Sequence, residues 1–243
     1  LLQYSLLNRL GRPEAPALLP RLRQPVTAFE WFVRGILEHD GAGHTGQRLL
    51  DDIDRAVGAS ERPRLWLHLH QAAYAEAAGD AAAGRRAASS LLAHWPESPV
   101  ARHFACLALR RVEPERALRL ADELCEQHPG DGLGPWAKGL VLEARGDRPG
   151  ATAALERATA CLPRSPAAHY TLGKLWFDRG EPARALALMT QARDLLPRFV
   201  EAWMGIGMAQ RRLGHVDEAL AALQRAVELH ESQGDARFQL GQL

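Results

Sequence analysis

Residues 166–199 read PAAHYTLGKLWFDRGEPARALALMTQARDLLPRF, and the next 34 residues, 200–233, read VEAWMGIGMAQRRLGHVDEALAALQRAVELHESQ. The two stretches carry small and turn-forming residues at the same places, and the same spacing of 34 residues continues in the flanking sequence. The matched columns are Gly139, Gly173, Gly207 and Gly241; Gly146, Gly180 and Gly214; Ala151, Ala185 and Ala219; and Ala158, Ala192 and Ala226. A period of this length predicts a fold built from one repeated supersecondary unit.

Each repeated unit is predicted to be a pair of antiparallel helices. A small residue in the eighth place, such as Gly173, lets the second helix approach closely, and the alanine in the twentieth place, Ala185, faces it. Gly180 falls where a helix C-cap glycine would turn the chain, and Pro197 falls where the second helix should stop. The pattern therefore predicts an all-α chain.

The columns resemble tetratricopeptide repeats, whose pattern is W-x2-L-G-x2-Y followed by Ala, a bulky residue, Ala and Pro. The best match begins at Trp203-Met204-Gly205-Ile206-Gly207, and the preceding unit opens with His169-Tyr170-Thr171-Leu172-Gly173. The resemblance is strongest over 132–243 and weaker over 65–131. It implies a right-handed superhelical solenoid of antiparallel helix pairs, and a chain that binds protein or peptide partners.

The repeat spacing also predicts how the chain is divided. A solenoid over 65–243 would contain five full units and a partial one, at 65–97, 98–131, 132–165, 166–199, 200–233 and 234–243. Residues 1–64 are predicted to be an N-terminal helical region with a Pro-rich connector and a degenerate repeat at 27–58. Pro135 suggests that the first helix of its unit starts there. The partial unit favours a natural protein that continues past Leu243, because solenoid ends usually carry a polar cap.

The balance of charge favours no polyanionic partner. The 243 residues include 30 basic and 29 acidic side chains, for a formal net charge of +1. No run of 18 apolar residues is present to form a membrane-spanning helix. We therefore expect no nucleic-acid partner, no membrane partner and a cytoplasmic location, although a signal lost upstream of Leu1 stays open. Two lysines against 28 arginines, with abundant alanine, are typical of a GC-rich bacterial gene.

The reactive residues form no recognisable catalytic or metal-binding motif. Cys106, Cys125 and Cys161 are too scattered for a disulfide framework and are interpreted as small buried thiols. The cluster His39, Asp40 and His44 lies in a Gly-rich stretch and is interpreted as a solvated turn. His68 and His70 are two positions apart, so they lie on different faces of a helix. We expect no catalytic residue, no metal and no cofactor.

The resemblance implies that the first helices of successive units line a concave groove for a partner. The predicted partner-binding residues, from the fifth, ninth and twelfth places of the units, are Arg102, Trp136, Tyr170, Lys174, Phe177, Met204, Met208, Arg211 and Phe238. The alternative is that bulky residues in the fifth place pack partly within the solenoid. Family members that grip acidic chaperone tails carry Lys and Asn at set groove places, and that pattern is absent here.

Three functional readings follow from the sequence. The first is a stand-alone adaptor or scaffold that binds a protein or peptide, with self-association through uncapped repeat ends as a variant. The second is a recognition module of a larger bacterial enzyme, because proteins resembling this one often carry a transferase, sulfotransferase or hydroxylase domain. The third, an enzyme within this chain, is disfavoured because no set of residues forms a recognisable catalytic motif.

Overall fold

The computed structural model of the protein describes residues 46–58, 60 and 63–229. These residues form eleven α-helices and contain no strand. The helices are α1 (Gly46–Gly58), α2 (Leu65–Ala78), α3 (Ala81–His94), α4 (Pro99–Leu109), α5 (Pro114–Gln127), α6 (Leu133–Ala144), α7 (Arg148–Cys161), α8 (Pro166–Asp178), α9 (Pro182–Leu195), α10 (Val200–Leu213) and α11 (Val216–Leu229). The predicted all-α class is confirmed for this part of the chain.

The chain divides into two compact units. Among the described residues, the first comprises 46–58, 60, 63–129 and Leu140–Asp147, and the second comprises Gly130–Gly139 and 148–229. The repeat boundaries proposed from the sequence stay a prediction. The expected repeat at 27–58 falls largely outside the described residues, since only 46–58 of it are described.

In the first unit, α1 to α5 pack as consecutive neighbours along the chain, and α2 also packs against α4. Helix α1 turns a narrow apolar stripe towards α2, with Ile53 and Ala56 packed against Leu67. Leu50 meets Ala75 and Ala83 one turn away, so the stripe has the spacing of an amphipathic helix. This packing fixes α1 on the hairpin formed by α2 and α3.

In the second unit, α8 to α11 are two helical hairpins in series, and α7 packs against α8. The largest core of this unit contains Phe177, Met189 and Ile206 together with Ala185, Ala209 and Ala222. Alanine is frequent in the core because the helices approach too closely for larger side chains. Two first helices, α8 and α10, consequently lie beside one another.

Glycine in the eighth place permits this close approach, as the sequence predicted. A methyl group added at Gly207 would lie 2.6 Å from Cγ of Leu223 and 3.2 Å from the carbonyl oxygen of Ala219. Gly139 meets Leu155 at the same distance of 2.6 Å. A side chain at either position would therefore push the two helices of the hairpin apart.

The turns inside the hairpins use glycine for its conformation. Gly180 has φ of 79°, in the left-handed region that favours glycine. Its N–H donates to the carbonyl oxygen of Phe177, and the N–H of Glu181 donates to that of Trp176. These two bonds are the Schellman pattern that ends a helix. Gly79, Gly146 and Gly214 also have positive φ in this part of the chain.

The start of α6 differs from the sequence expectation. The helix begins at Leu133, two residues before Pro135. The side chain of Asp131 accepts a hydrogen bond from the N–H of Leu133 at 2.9 Å. The helix start is therefore set by this capping carboxylate, and Pro135 is accommodated in the first turn, where no N–H is needed.

Candidate functional site

The adjacent helices α8 and α10 carry six of the predicted partner-binding residues, and five of these, all except Phe177, are treated together. Tyr170 and Lys174 are one turn apart on α8, and Met204, Met208 and Arg211 follow the same spacing on α10. Side chains three or four places apart share one side of a helix. We call these five residues the α8–α10 face.

Tyr170 is the aromatic residue of this face. Serine at the N-cap fixes the start of α8, where the hydroxyl of Ser165 accepts from the N–H of Ala168. The half-buried Tyr170 ring meets Phe199 edge-to-face, with ring centroids 5.5 Å apart. Burial, followed by the nearby carboxylates of Glu201 and Asp178, raises the pKa of the Tyr170 hydroxyl. The hydroxyl therefore stays protonated and can donate a hydrogen bond at neutral pH.

The two methionines of this face pack against the hydrophobic core. Met204 packs against the small core of Val200 and Ala226, and Met208 packs against the larger core that contains Phe177. Both side chains are half-buried, so part of each thioether stays accessible on the face. Methionine adapts its shape to a contacting surface more readily than a branched side chain. The pair offers a conformable apolar patch beside Tyr170.

Lys174 and Arg211 give the face its positive charge. Lys174 is exposed, and Arg211 is half-buried. Glu201 and Asp178 lie near enough to Tyr170 to affect its proton affinity, so negative charge is present as well. The chemistry available on this face is thus apolar contact surrounded by charges of both signs, which suits binding rather than bond making.

Phe177 was predicted to line the groove, but its ring lies in the core. Its exposed fraction is 8%, and it packs in the cluster that includes Ile206. The guanidinium carbon of Arg212 lies 4.3 Å from the ring centroid. A partner can reach this ring only if Arg212 moves, so the accessible group at this place is the arginine.

Arg102 is occupied by bonds within the first unit. Its Nε donates to the carbonyl oxygen of Pro96 at 2.5 Å, and its Nη1 donates to Oε1 of Gln127 at 2.6 Å. These bonds tie α4 to the preceding turn and to α5. Trp136 is half-buried on α6, and Phe238 lies outside the described residues. A role for these three residues in partner binding stays a prediction.

Phe199 supports Tyr170 from the residue immediately before α10, and it was not among the residues predicted from the sequence. Its only signal is a large aromatic side chain at the N-cap position, where Ser, Thr, Asp or Asn is usual. An apolar residue in that place indicates packing rather than capping. The contact itself joins two helices and could not be read from one helical pattern.

The remaining candidate motifs give no further site in the described part of the chain. Within it, no group of three or more His, Cys, Asp or Glu side chains is arranged to hold a metal ion. His39, Asp40 and His44 lie outside the described residues. Nor does any helix in this part of the chain combine the length and apolarity that crossing a membrane requires.

The family model for the tetratricopeptide repeat matches residues 136–198 and 170–236. These segments overlap and include the helices that form the α8–α10 face. Residues 136–236 therefore belong to the tetratricopeptide-repeat family.

Solved structures of similar fold agree with this assignment. A tetratricopeptide repeat protein from Parabacteroides merdae is 14% identical, with a TM-score of 0.61 over 93% of this chain and 87% of that one. A thermophilic protein of the same repeat class from Thermus thermophilus is 21% identical, with a TM-score of 0.60 over 74% of this chain and 98% of that one. At these identities the likeness concerns the fold.

A curated relative by sequence is the protein FlbA of Caulobacter vibrioides. It is 29% identical over 166 residues, which cover 68% of this chain and 28% of FlbA. The chain thus spans about a quarter of the length of this relative.

Proposed function

We propose that this chain binds a protein or peptide partner through the α8–α10 face. The observation that carries the proposal is the half-burial of Tyr170, Met204 and Met208 on two adjacent helices. Each side chain is held from behind by the core and presents its remaining surface outward. Rigidly supported aromatic and apolar side chains lose little entropy on binding and supply much of the energy of an interface.

The charged residues of the face would act at its rim. Lys174 and Arg211 can steer an approaching partner and fix its orientation, whereas exposed ion pairs add little affinity. The carboxylates of Glu201 and Asp178 lie close to Tyr170. A partner segment with apolar side chains flanked by both basic and acidic ones matches this distribution of charge.

The experiment is an affinity measurement on single variants. A partner captured by the wild-type chain is purified, and its binding to Tyr170→Ala and Met204→Ala is measured by calorimetry. We expect each substitution to weaken binding by about 1 kcal/mol or more, because it removes a supported apolar anchor. Circular dichroism confirms that both variants stay folded.

The matched control is Leu195→Ala, which truncates a large apolar side chain 40% exposed on α9, a helix that contributes no residue to the face. We expect this variant to bind as tightly as wild type. Unchanged affinity for both Tyr170→Ala and Met204→Ala, or an equal loss in the control, would contradict the assignment of the face.

The second candidate is a recognition module within a larger bacterial enzyme. The match to FlbA, a relative more than three times the matched length, supports the part of this alternative that concerns a larger protein. The intact mass of the native protein, with peptide mapping, separates the two. A mass near that of this chain favours the adaptor, whereas peptides continuing past Leu243 favour the module.

We place the protein in the cytoplasm as part of this proposal. Cys106, Cys125 and Cys161 are too scattered along the sequence for a disulfide framework, as expected in a reducing compartment. Self-association through the repeat ends stays a variant of the adaptor hypothesis. Light scattering of the purified chain at several concentrations tests it, since a self-associating chain grows in mass as concentration rises.

A further inference from the structure

A series of hydrogen-bonded polar side chains lies in the first unit, at places where the repeat pattern predicts apolar side chains. His68 and Gln71 take the fourth and seventh places of their predicted repeat, which Trp203 and Ile206 take in the last full one. Both polar residues are buried, with exposed fractions of 5% and 6%. Together with Asp54, Ser90 and His94 they form what we call the polar cluster; its members come from α1, α2 and α3.

The hydrogen bonds of the polar cluster indicate which atoms of Gln71 and His68 donate and which accept. Nε2 of Gln71 donates to Oδ1 of Asp54 at 2.7 Å. A carboxylate can only accept, so the amide nitrogen of Gln71 faces α1 and its oxygen faces His68. That oxygen lies 3.3 Å from Nδ1 of His68 and also only accepts. A hydrogen bond to this oxygen requires neutral His68 to carry its proton on Nδ1, with a lone pair on Nε2.

Most of the groups around His68 would not stabilise a second proton on its ring. The ring of His94 stacks on it at 5.9 Å between centroids, and the ring of Trp95 lies at 5.4 Å. Ser90 places its hydroxyl 3.3 Å from the same Nδ1. Arg86 pairs with Asp54 at 3.1 Å, so the carboxylate of the polar cluster already has a cation. Helix α2 also carries Glu76, but this carboxylate is paired with Arg110 at the end of α4.

Protonation of His68 is consequently opposed in the folded protein. Burial lowers the pKa of His68 from the ordinary value of 6.5, the Gln71 bond partly offsets this, and His94 lowers it further. The unfolded chain, with the higher pKa, binds the proton more readily. The stability that neutral His68 contributes is therefore fully present above about pH 6.5, and this contribution is lost as the pH falls below that value.

We propose that the polar cluster is a proton-sensitive latch that holds α1 against the hairpin of α2 and α3. In the neutral state, His68 orients Gln71, and Gln71 binds Asp54 of α1. Once His68 is charged, the added proton lies on a residue that is only 5% exposed, and separation of α1 would give the ring access to solvent. Helix α1 packs mainly on α2 in the described part of the chain, so its release disturbs little else.

The test is hydrogen exchange of the intact chain, followed by mass spectrometry at about pH 7.5 and about pH 5.5 and corrected for the intrinsic pH dependence of exchange. We expect protection of Gly46–Gly58 to fall at the lower pH, while protection of α8 to α11 stays constant. In His68→Gln, an amide N–H can still donate to Gln71 but cannot gain a charge. This variant should lose the pH dependence of α1.

His70→Gln is the matched control. Burial also lowers the pKa of His70, but its Nδ1 bonds the carbonyl oxygen of Trp66 within α2. The control should keep the pH-dependent protection of α1. Wild-type protection of α1 that is independent of pH, or pH dependence that survives in His68→Gln, would overturn the proposal.

A second measurement covers the case in which His68→Gln does not fold. Proton titration of wild-type His68 by NMR should report the same midpoint as the loss of protection in α1. Different midpoints would also overturn the proposal. The outcome is independent of partner binding through the α8–α10 face.

Discussion

Arg212 covers the ring of Phe177 and also binds its backbone. The guanidinium carbon lies 4.3 Å from the ring centroid, and Nη1 donates to the carbonyl oxygen of Phe177 at 3.2 Å. One side chain thus shields an aromatic residue and joins α10 to the end of α8. The arrangement accounts for the low exposure of Phe177 on a helix that otherwise contributes to the α8–α10 face.

Removing this cover should reduce stability. We expect Arg212→Ala to lower the free energy of unfolding by about 1 kcal/mol, because it removes a cation–π contact and a hydrogen bond. Chemical denaturation measures the change. Arg225→Ala is the control, since Arg225 pairs with Glu228 on the exposed side of α11, and it should have little effect. Equal losses in the two variants would contradict a special role for Arg212.

Adding a methyl group at Gly207 should be more costly than at Gly205. At Gly207 the new carbon would meet the branched Cγ of Leu223 at 2.6 Å and the Ala219 carbonyl oxygen at 3.2 Å. At Gly205 it would meet Sδ of Met189, also at 2.6 Å, but that side chain is flexible and can move.

We expect Gly207→Ala to lower stability by about 1–3 kcal/mol and Gly205→Ala by clearly less. Thermal melts of both variants provide the measurement. Gly58→Ala is the control, because none of the described residues lies within 4 Å of the added carbon. A reversed order of Gly207→Ala and Gly205→Ala would show that the backbone contact does not limit this position.

The ion pair between Arg110 and Glu76 should contribute more than a surface pair. Nη2 of Arg110 lies 2.6 Å from Oε1 of Glu76, and the two side chains are 14% and 19% exposed. Arg110→Met would leave Glu76 largely buried with only the more distant Arg111, at 3.6 Å. We expect a loss of about 1–3 kcal/mol, measured by urea denaturation.

Arg116→Met serves as the matched control for this pair. Arg116 pairs with Glu113 at 3.0 Å, but its side chain is 40% exposed. Its loss should change stability by less than about 0.5 kcal/mol. If both substitutions cost the same, burial does not strengthen the Arg110 pair.

Cys106 should resist alkylation in the native protein. Burial, with a further contribution from Cys125, raises the pKa of the Cys106 thiol to about 12. At about pH 8 almost no thiolate is present, and the sulfur lies in the core. Iodoacetamide followed by peptide mapping should label Cys106 only after unfolding, whereas the partly buried Cys161 is labelled in the native state. Rapid native labelling of Cys106 would contradict this burial.

The helical architecture could be predicted because it depends on local spacing. Glycine every 34 residues indicates both the close approach at Gly207 and the turn at Gly180, and the structure has both. Side-chain contacts between helices depend on rotamers and on neighbouring elements. The place of Phe177 in its repeat predicted a groove residue, yet its ring turns into the core beneath Arg212.

The polar cluster was equally inaccessible from the sequence. The spacing of His68 and His70 correctly separates their faces, but it does not reveal that Gln71 binds Asp54, 17 residues earlier. The sequence around Arg102 likewise does not indicate its hydrogen bond to Gln127, 25 residues later. Such contacts join different helices at irregular separations, so they leave no period in the sequence.

The glycine-ended turns have a consequence for how the chain acquires its structure. The two bonds that close the turn at Gly180 join residues three and five places apart. The bond from Arg110 to Glu76, which joins neighbouring hairpins, spans 34 residues. Contacts this near in sequence incur little loop-closure entropy, and chains dominated by them fold rapidly. A hairpin can therefore form on the ribosome soon after its own residues emerge, before the rest of the chain has been made.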